Sequence, residues 1–477
     1  MNKTLNVYYT HCEIHPYKKG EFFPLEKSLS KWDQKTLKYG EWVPVGYFIE
    51  DETLYLPKGV SIDALESDFG LTPTVNIPKR KSQDMSDKYD VLYPPRSEVQ
   101  AESVKFLTAG SYNQYCLNLE TSGGKTYCAI ASLAIIGKKT IVLVNRELLA
   151  DHWKSEIMKF TNIPGEKIMR VTSDNIDDVI EYEREADVYI AMHQTIQAYV
   201  RANGWESLNT FMEMAGIGLK IFDECHEYIK SMFYIDAHTN IARTFYLTAT
   251  VGRSNTNERA VLNTILARSV RYTNLSDVER KINYIAIKYK SEIPMKYITS
   301  CRTMKGFSPV KYIDVALEKD PQKYIMQALD YVMAESVSRN GQILIVVPKK
   351  SAVKYIYDVL NRVIVGKTVG TIYSDNTKEV NLRNQTCDVI VSTIKSCGTG
   401  FNPPNLQTLI CMEPHSSEIV THQLKGRLDR CKEDESYFYD ILDEAFTDIS
   451  RMGWKHMKYF KNVAISVDEK FLDDVAF

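Results

Sequence analysis

The sequence predicts an α/β protein of two consecutive lobes, each built on a parallel sheet, preceded by a small α+β domain. Three observations predict it. The chain has 477 residues, 44% hydrophobic and 25% charged, a globular profile too long for one core. From about residue 97 to about 442, short β-branched runs alternate with longer segments of helical period, the pattern of parallel α/β layers. The first 90 or so residues are instead rich in aromatics and turn residues.

The N-terminal region offers alternating pieces, TLNVYY and GYFIEDETLYLP, and one helical stretch, SIDALESDFG. It ends in TVNIPKRKSQDMSDKYDVLYPP, whose charge and proline suit an exposed connection and a module that moves relative to the lobes. First-lobe strands are expected at 139–145, 187–192, 218–222 and 243–248, and second-lobe strands at 283–289, 342–347, 388–392, 407–412 and 436–442. Polar and glycine punctuation after Val251 suggests a boundary near 275–285, giving domains 1–88, 89–278 and 279–477. Residues 290–322 break the strand–helix rhythm and read as an insertion or long excursion.

Composition excludes several classes. Lys and Arg number 59 and Asp and Glu 61, a net charge of −2, so any nucleic-acid path is local. Nine cysteines without a CxxC pair argue against a disulfide framework and a zinc ribbon. His11, Cys12 and His15 lack a complementary pair nearby in sequence. The greasiest runs, TIVLV and ILIVV, are far too short to span a bilayer. No membrane association is expected, and the expected location is a reducing cytoplasm, the host's if the protein is viral.

Three segments carry chemistry. Leu119-Glu-Thr-Ser-Gly-Gly-Lys-Thr126 leads into a good helix, so Ser122, Gly123 and Gly124 point N–H groups at an anion. Lys125 adds a charge for β and γ phosphates, and Thr126 a hydroxyl for Mg²⁺. The full phosphate-loop pattern wants glycine where Leu119 stands, and GGKT alone also suits a tight turn with a surface lysine. Phe222-Asp-Glu-Cys-His226 follows the run GLKIF, so its acids emerge at the carboxyl edge of a parallel sheet. There Asp223 can hold Mg²⁺ and Glu224 can activate water, or the pair is an acidic strand-end loop. Thr421 to Arg430 is a helical stretch on which Gln423, Arg427 and Arg430 share a face, for a γ-phosphate or merely as a solvated basic face.

Jointly, TSGGKT, DECH, LTAT (247–250) and QLKGRLDR, in that order and at those intervals, resemble motifs I, II, III and VI of superfamily-two helicases. Gln100 resembles the adenine-reading glutamine of that family. IVLVNRELLADHW resembles motif Ia, VYIAMHQTI the strand-end motif around Thr195, and VIVSTIKSCGTGFNPPNL motif V, with Asn402 where Asp is usual. The resemblance implies two RecA-like lobes, ATP and Mg²⁺ as cofactors, and catalysis by Glu224, Gln423, Arg427 and Arg430. It also implies strand contacts at Arg146, Thr195 and Thr393, and coupling through His226, Thr248 and Thr250. The TSxGK[ST] loop with DECH is similar to the phage UvsW type of branch-migration helicase and to viral transcript-release helicases. The implied function is an ATP-dependent DNA helicase or translocase acting on single-stranded and branched DNA, with replication, recombination or transcription proteins as partners. Its alternatives are a transcript-releasing ATPase and a non-catalytic nucleic-acid-binding accessory protein. WKHMKYFKNVAI near the C-terminus suits both a phosphate-tracking surface and a helix packed on lobe two.

Overall fold

Aliphatic runs with few polar interruptions become the central strands of two seven-stranded, all-parallel sheets in the computed structural model of the chain. It describes residues 3–34, 40–75, 82–120, 123–181, 185–249, 262–266, 270–274, 281–303, 306–397, 401, 403–429 and 431–472. The chain divides into two compact units, Met1–Ser276 and Asp277–Phe477.

The N-terminal domain has a mixed sheet of β1 (Thr4–Val7), β2 (His11–His15), β5 (Phe48–Glu50), β6 (Thr53–Pro57) and β7 (Pro73–Val75), in the order β5-β6-β2-β1-β7. β3 (Ser30–Gln34) and β4 (Gly40–Pro44) form a separate hairpin. The helix Ile62–Phe69 starts where the Ser61 hydroxyl accepts from the Ala64 N–H, and stops at Gly70, whose φ of 62° few other residues adopt without strain.

Contrary to the expectation of a moving module, this domain is sewn to the first lobe. Phe48 stacks on Tyr234 with 4.0 Å between ring centroids, and on His238 at 5.0 Å. Glu50 pairs with His238 at 2.7 Å, and the buried Thr10 hydroxyl donates to the Asp236 carbonyl. The connecting segment is also less exposed than its charge suggests. From Gln83 onward it adds backbone hydrogen bonds to Gly216, Gly137 and Lys139, and Ser86 and Tyr89 both donate to the Asp187 carboxylate. Met85 and Tyr89 belong to the first lobe's core.

The first lobe contains β8 (Gln114–Leu119), β9 (Thr140–Val144), β10 (Ile168–Val171), β11 (Val188–Met192), β12 (Leu219–Phe222), β13 (Arg243–Thr248) and β14 (Arg271–Asn274). Their order is β10-β11-β9-β12-β13-β8-β14. Lys220 sits fully buried inside β12, compensated by Asp236 at 2.5 Å and by the Thr239 hydroxyl at 2.7 Å.

The second lobe contains β15 (Ile282–Tyr289), a short hairpin of β16 (Arg302–Thr303) and β17 (Gly306–Phe307), then β18 (Gln342–Val347), β19 (Val369–Ile372), β20 (Val389–Thr393), β21 (Leu406–Cys411), β22 (Ser436–Asp443) and β23 (Ser466–Phe471). The main sheet runs β19-β20-β18-β21-β22-β15-β23. Residues 290–322, expected as an excursion, are a packed cover instead. They fold into helices Met295–Ser300 and Pro309–Glu318 around the hairpin, and Ile293, Cys301, Tyr312 and Ile313 enter the lobe's core.

Candidate active site

In the first lobe, β13 lies between β8 and β12, so these three strands run side by side about 4.8 Å apart and their carboxyl ends, Leu119, Thr248 and Phe222, lie along one edge of the sheet. Gly124 caps the helix Lys125–Ile136 at φ 83°, and a Cβ there would run into the side-chain amide of Gln100. Both features demand glycine. Gln100 is 3% exposed and accepts from the Arg96 N–H at 3.0 Å. Lys125 was expected on an exposed surface; it is only 8% exposed, with Nζ donating to the Leu119 and Glu120 carbonyls at 3.2 and 3.3 Å. The ammonium is thus held by the carbonyls at the end of β8, at the start of a helix whose first N–H groups have no partner within the helix. Gly123 and Thr126 are half-buried beside it.

The acids after β12 are held differently from one another. Asp223 is buried, accepting from the indole Nε1–H of Trp153 at 2.8 Å and from the Glu224 N–H at 2.9 Å. Burial and the neighbouring Glu224 push its carboxyl up to about 6, while Trp153 and Lys125 pull against them. The ammonium and the acid therefore share one electrostatic site. Glu224 has a left-handed backbone, φ 46°, and its buried Oε2 accepts no hydrogen bond within the described chain. That oxygen lies 3.4 Å from Nδ1 of His226, which also meets the Thr248 hydroxyl at 3.0 Å. His226 therefore links the acid loop to the end of β13. Cys225 is a buried small side chain.

Along the same edge, β9 and β11 are neighbours, which brings Arg146 and Thr195 out side by side, both half-buried. A link the sequence did not reveal joins them to the acid loop. Gln194 donates to the Asn145 carbonyl at 3.0 Å, and the Asn145 side-chain amide donates to Glu227. Trp153 was missed as well, although its place in the helix after β9, at the end of the quoted IVLVNRELLADHW, was a signal.

In the second lobe, Thr393 ends β20 and its hydroxyl donates to Ser396 at 2.9 Å. The helix Glu418–Leu428 starts at Ser417, whose hydroxyl accepts from the Val420 N–H. It is not a solvated basic face. Arg427 is 8% exposed and donates to the Phe401 carbonyl at 2.6 Å, and buried Lys425 pairs with Asp429 at 2.9 Å. Gln423 is half-buried. Ser122, Thr250, Gly398, Gly400, Asn402 and Arg430 lie outside the described residues. His11 of the N-terminal histidine pair stacks on Tyr8, and no group of three potential ligands that could hold a metal occurs among the described residues.

Residues 93–253 match the family of the type III restriction enzyme res subunit, and residues 323–432 the helicase conserved C-terminal domain. The chain belongs to the superfamily-two helicases. It is 24% identical over 349 residues to the general transcription and DNA repair factor IIH helicase/translocase subunit XPB of Danio rerio, covering 68% of this chain and 42% of that protein. The chain therefore spans less than half the length of that relative. The transcript termination protein A18 of fowlpox virus is 20% identical over 367 residues, covering 72% of this chain and 75% of that one. The structure of S. cerevisiae Dbp5 bound to RNA and ADP BeF3 aligns with 79% of this chain and 90% of that one, at 14% identity and a TM-score of 0.54, which supports tandem RecA-like lobes. Among the described residues no helix is long and apolar enough to cross a membrane.

Proposed function

We propose that this superfamily-two helicase is an ATP-driven DNA translocase that unwinds or branch-migrates forked and junction DNA. The observation that carries the motor reading is the shared electrostatics of Lys125 and Asp223, with Glu224 presenting a buried, unbonded oxygen beside them. A scaffold has no need of so costly an arrangement.

Roles follow from the chemistry of each group. Gly123, Gly124 and the helix N-terminus receive phosphate oxygens, with Ser122 beside them, and Lys125 neutralises their charge. Asp223 and Thr126 fit Mg²⁺, which when bound would neutralise the phosphates: Asp223 is a buried carboxylate whose raised affinity for a proton is relieved by a cation. Glu224 orients and deprotonates the attacking water. Gln423, Arg427 and Arg430 are assigned the charge that develops in the transition state, and Gln100 the adenine. His226, Thr248 and Thr250 are assigned the coupling of hydrolysis to strand grip, and Arg146, Thr195 and Thr393 the phosphates of the strand.

Residues 1–88 are assigned the recognition of DNA structure, 89–278 the ATP-binding lobe and 279–477 the second lobe. Replication, recombination or transcription proteins are the proposed partners, and the cytoplasm, a host's for a viral protein, the proposed location. The test is ATP turnover across single-stranded DNA, duplex, fork, junction and RNA. Strongest stimulation by forks or junctions supports the proposal, and turnover indifferent to all of them refutes it. A second reading, a transcript-releasing ATPase, draws on the fowlpox relative and is tested by a stalled transcription complex assayed beside a fork.

A further inference from the structure

The helix Thr447–Val463 carries a surface that no helicase motif uses. One side packs on the second sheet, with Ile449, Gly453, His456 and Phe460 buried and Phe460 against Tyr284 at 4.6 Å between centroids. Arg451, Trp454, Lys455, Lys458 and Lys461 fall on the opposite side and are exposed. The helix has four basic residues and one acid, in a chain of net charge −2. That acid, Asp448, is already engaged by Arg302 at 2.7 Å and by Arg451 at 3.7 Å. Lys455, Lys458 and Lys461 form no ion pair among the described residues. Trp454 is 58% exposed, with the Lys458 ammonium 5.4 Å from its ring centroid.

Topology gives the stripe a direction. β22 and β23 both run parallel to β15, so the helix joining them must return from the carboxyl edge of the sheet, where Thr393 emerges, toward the opposite edge. The cations from Arg451 to Lys461 thus form a line about 15 Å long running down the lobe's flank.

Resting on the motor reading above, we propose that this stripe binds the sugar-phosphate backbone of a duplex arm adjoining the single strand. The apolar side of the helix is spent on the lobe's own core, so neither a lipid surface nor a partner helix can be recruited through it. What remains is recognition by charge. A straight, rigid row of cations matches the backbone of a duplex, which offers about one charge per 1.7 Å of axis, better than it matches a flexible strand. Trp454 supplies a flat apolar surface for a deoxyribose beside those phosphates.

The test is the full-length triple variant Lys455→Ala, Lys458→Ala, Lys461→Ala. These side chains are exposed and alanine is the best helix former, so the fold is retained. A fluorescent single strand and the same strand carrying a duplex arm are the probes. Affinity for the armed probe should fall about tenfold or more at low salt, and its log–log salt slope should flatten by about 0.9 per lysine removed. Plain-strand affinity, and the ATP turnover it stimulates, should stay at wild-type values. Armed-probe binding with wild-type affinity and slope overturns the proposal, and so does an equal loss on both probes, which would put the lysines on the single-strand path. Polyglutamate binding that needs the three lysines while the armed probe does not would assign the stripe to an acidic protein and overturn it too. A wild-type enzyme whose turnover no nucleic acid stimulates sinks the motor reading along with it, whereas the other adverse outcomes leave that reading standing.

Discussion

The indole N–H of Trp153 donates to Oδ2 of Asp223 at 2.8 Å, inside a site where that carboxylate is buried. The bond stabilises the ionised acid against a burial that pushes its pKa up to about 6. Because this value lies above the unfolded one, near 3.9, ionised Asp223 costs stability. The cost is absent well below pH 4, is still small at pH 4, grows as pH rises, and is complete above pH 6. Trp153→Phe should therefore lower stability by about 1–3 kcal/mol more at pH 7.5 than at pH 4. It should also move the acidic limb of ATP turnover toward neutrality. Thermal unfolding at the two pH values is the check; an equal loss at both would mean that Trp153 only fills volume.

Lys125→Ala should abolish ATP turnover. Since Nζ also ties down the Leu119 and Glu120 carbonyls, it should lower stability by about 1 kcal/mol as well. Near-normal hydrolysis by a folded variant would remove Lys125 from the phosphate site. Glu224→Gln keeps the shape and loses the base, so ATP affinity should persist while turnover is lost. Joint loss of both would make Glu224 a metal ligand or a structural group.

Gly124→Ala meets two obstacles at once: a backbone at φ 83° and the amide of Gln100 in the space of the new Cβ. A loss of about 1–3 kcal/mol is expected, with ATP binding weakened in parallel. Adding Gln100→Ala should restore part of the stability by clearing the space, and the remainder measures the backbone strain. No rescue at all would mean that the φ alone decides.

Arg427→Ala should lower kcat by about 10³-fold if its guanidinium acts on transition-state charge, with nucleotide affinity little changed. The bond from Nη1 to the Phe401 carbonyl complicates this, because truncation leaves that carbonyl without its donor. Circular dichroism and thermal unfolding must therefore accompany the kinetics. Wild-type turnover would reduce Arg427 to a packing residue.

What the sequence disclosed and what it hid follow from burial. Strands such as β9, TIVLV, and β18, QILIVV, are buried along their length and read as apolar runs. β8, QYCLNL, did not, because its buried amides are paired inside the sheet: Gln114 donates to the Tyr246 hydroxyl at 2.7 Å and Asn118 to the Thr273 hydroxyl at 3.4 Å. β23, SVDEKF, is an edge strand whose charges conceal its period. The short loops with phosphate-site spacing were legible because chemistry constrains neighbouring residues. Trp153 beneath Asp223, Gln100 against Gly124 and Asn145 beside Glu227 were not, since each joins segments far apart in the chain.

The seam between the N-terminal domain and the first lobe yields the last prediction. Phe48 is 4% exposed and stacks on Tyr55, Tyr234 and His238, and His238 is sandwiched further by Trp205 at 3.9 Å and held by Glu50 at 2.7 Å. Tyr234 and His238 belong to the helix Ile229–Thr239, which follows the acid loop by three residues. Phe48→Ala should cost about 3–5 kcal/mol, the range for emptying a buried aromatic site. Removing residues 1–88 altogether should do more than cut fork processing. It would uncover Tyr234, His238 and Trp205 as an apolar patch and strip Met85 from the first lobe's core. The truncated protein should therefore aggregate in size-exclusion chromatography, whereas a truncation that keeps 82–88 and carries Tyr234→Ser and Trp205→Gln should be soluble. A fully soluble, DNA-stimulated ATPase lacking residues 1–88 would show that the seam contributes little and that the domain is an independent module after all.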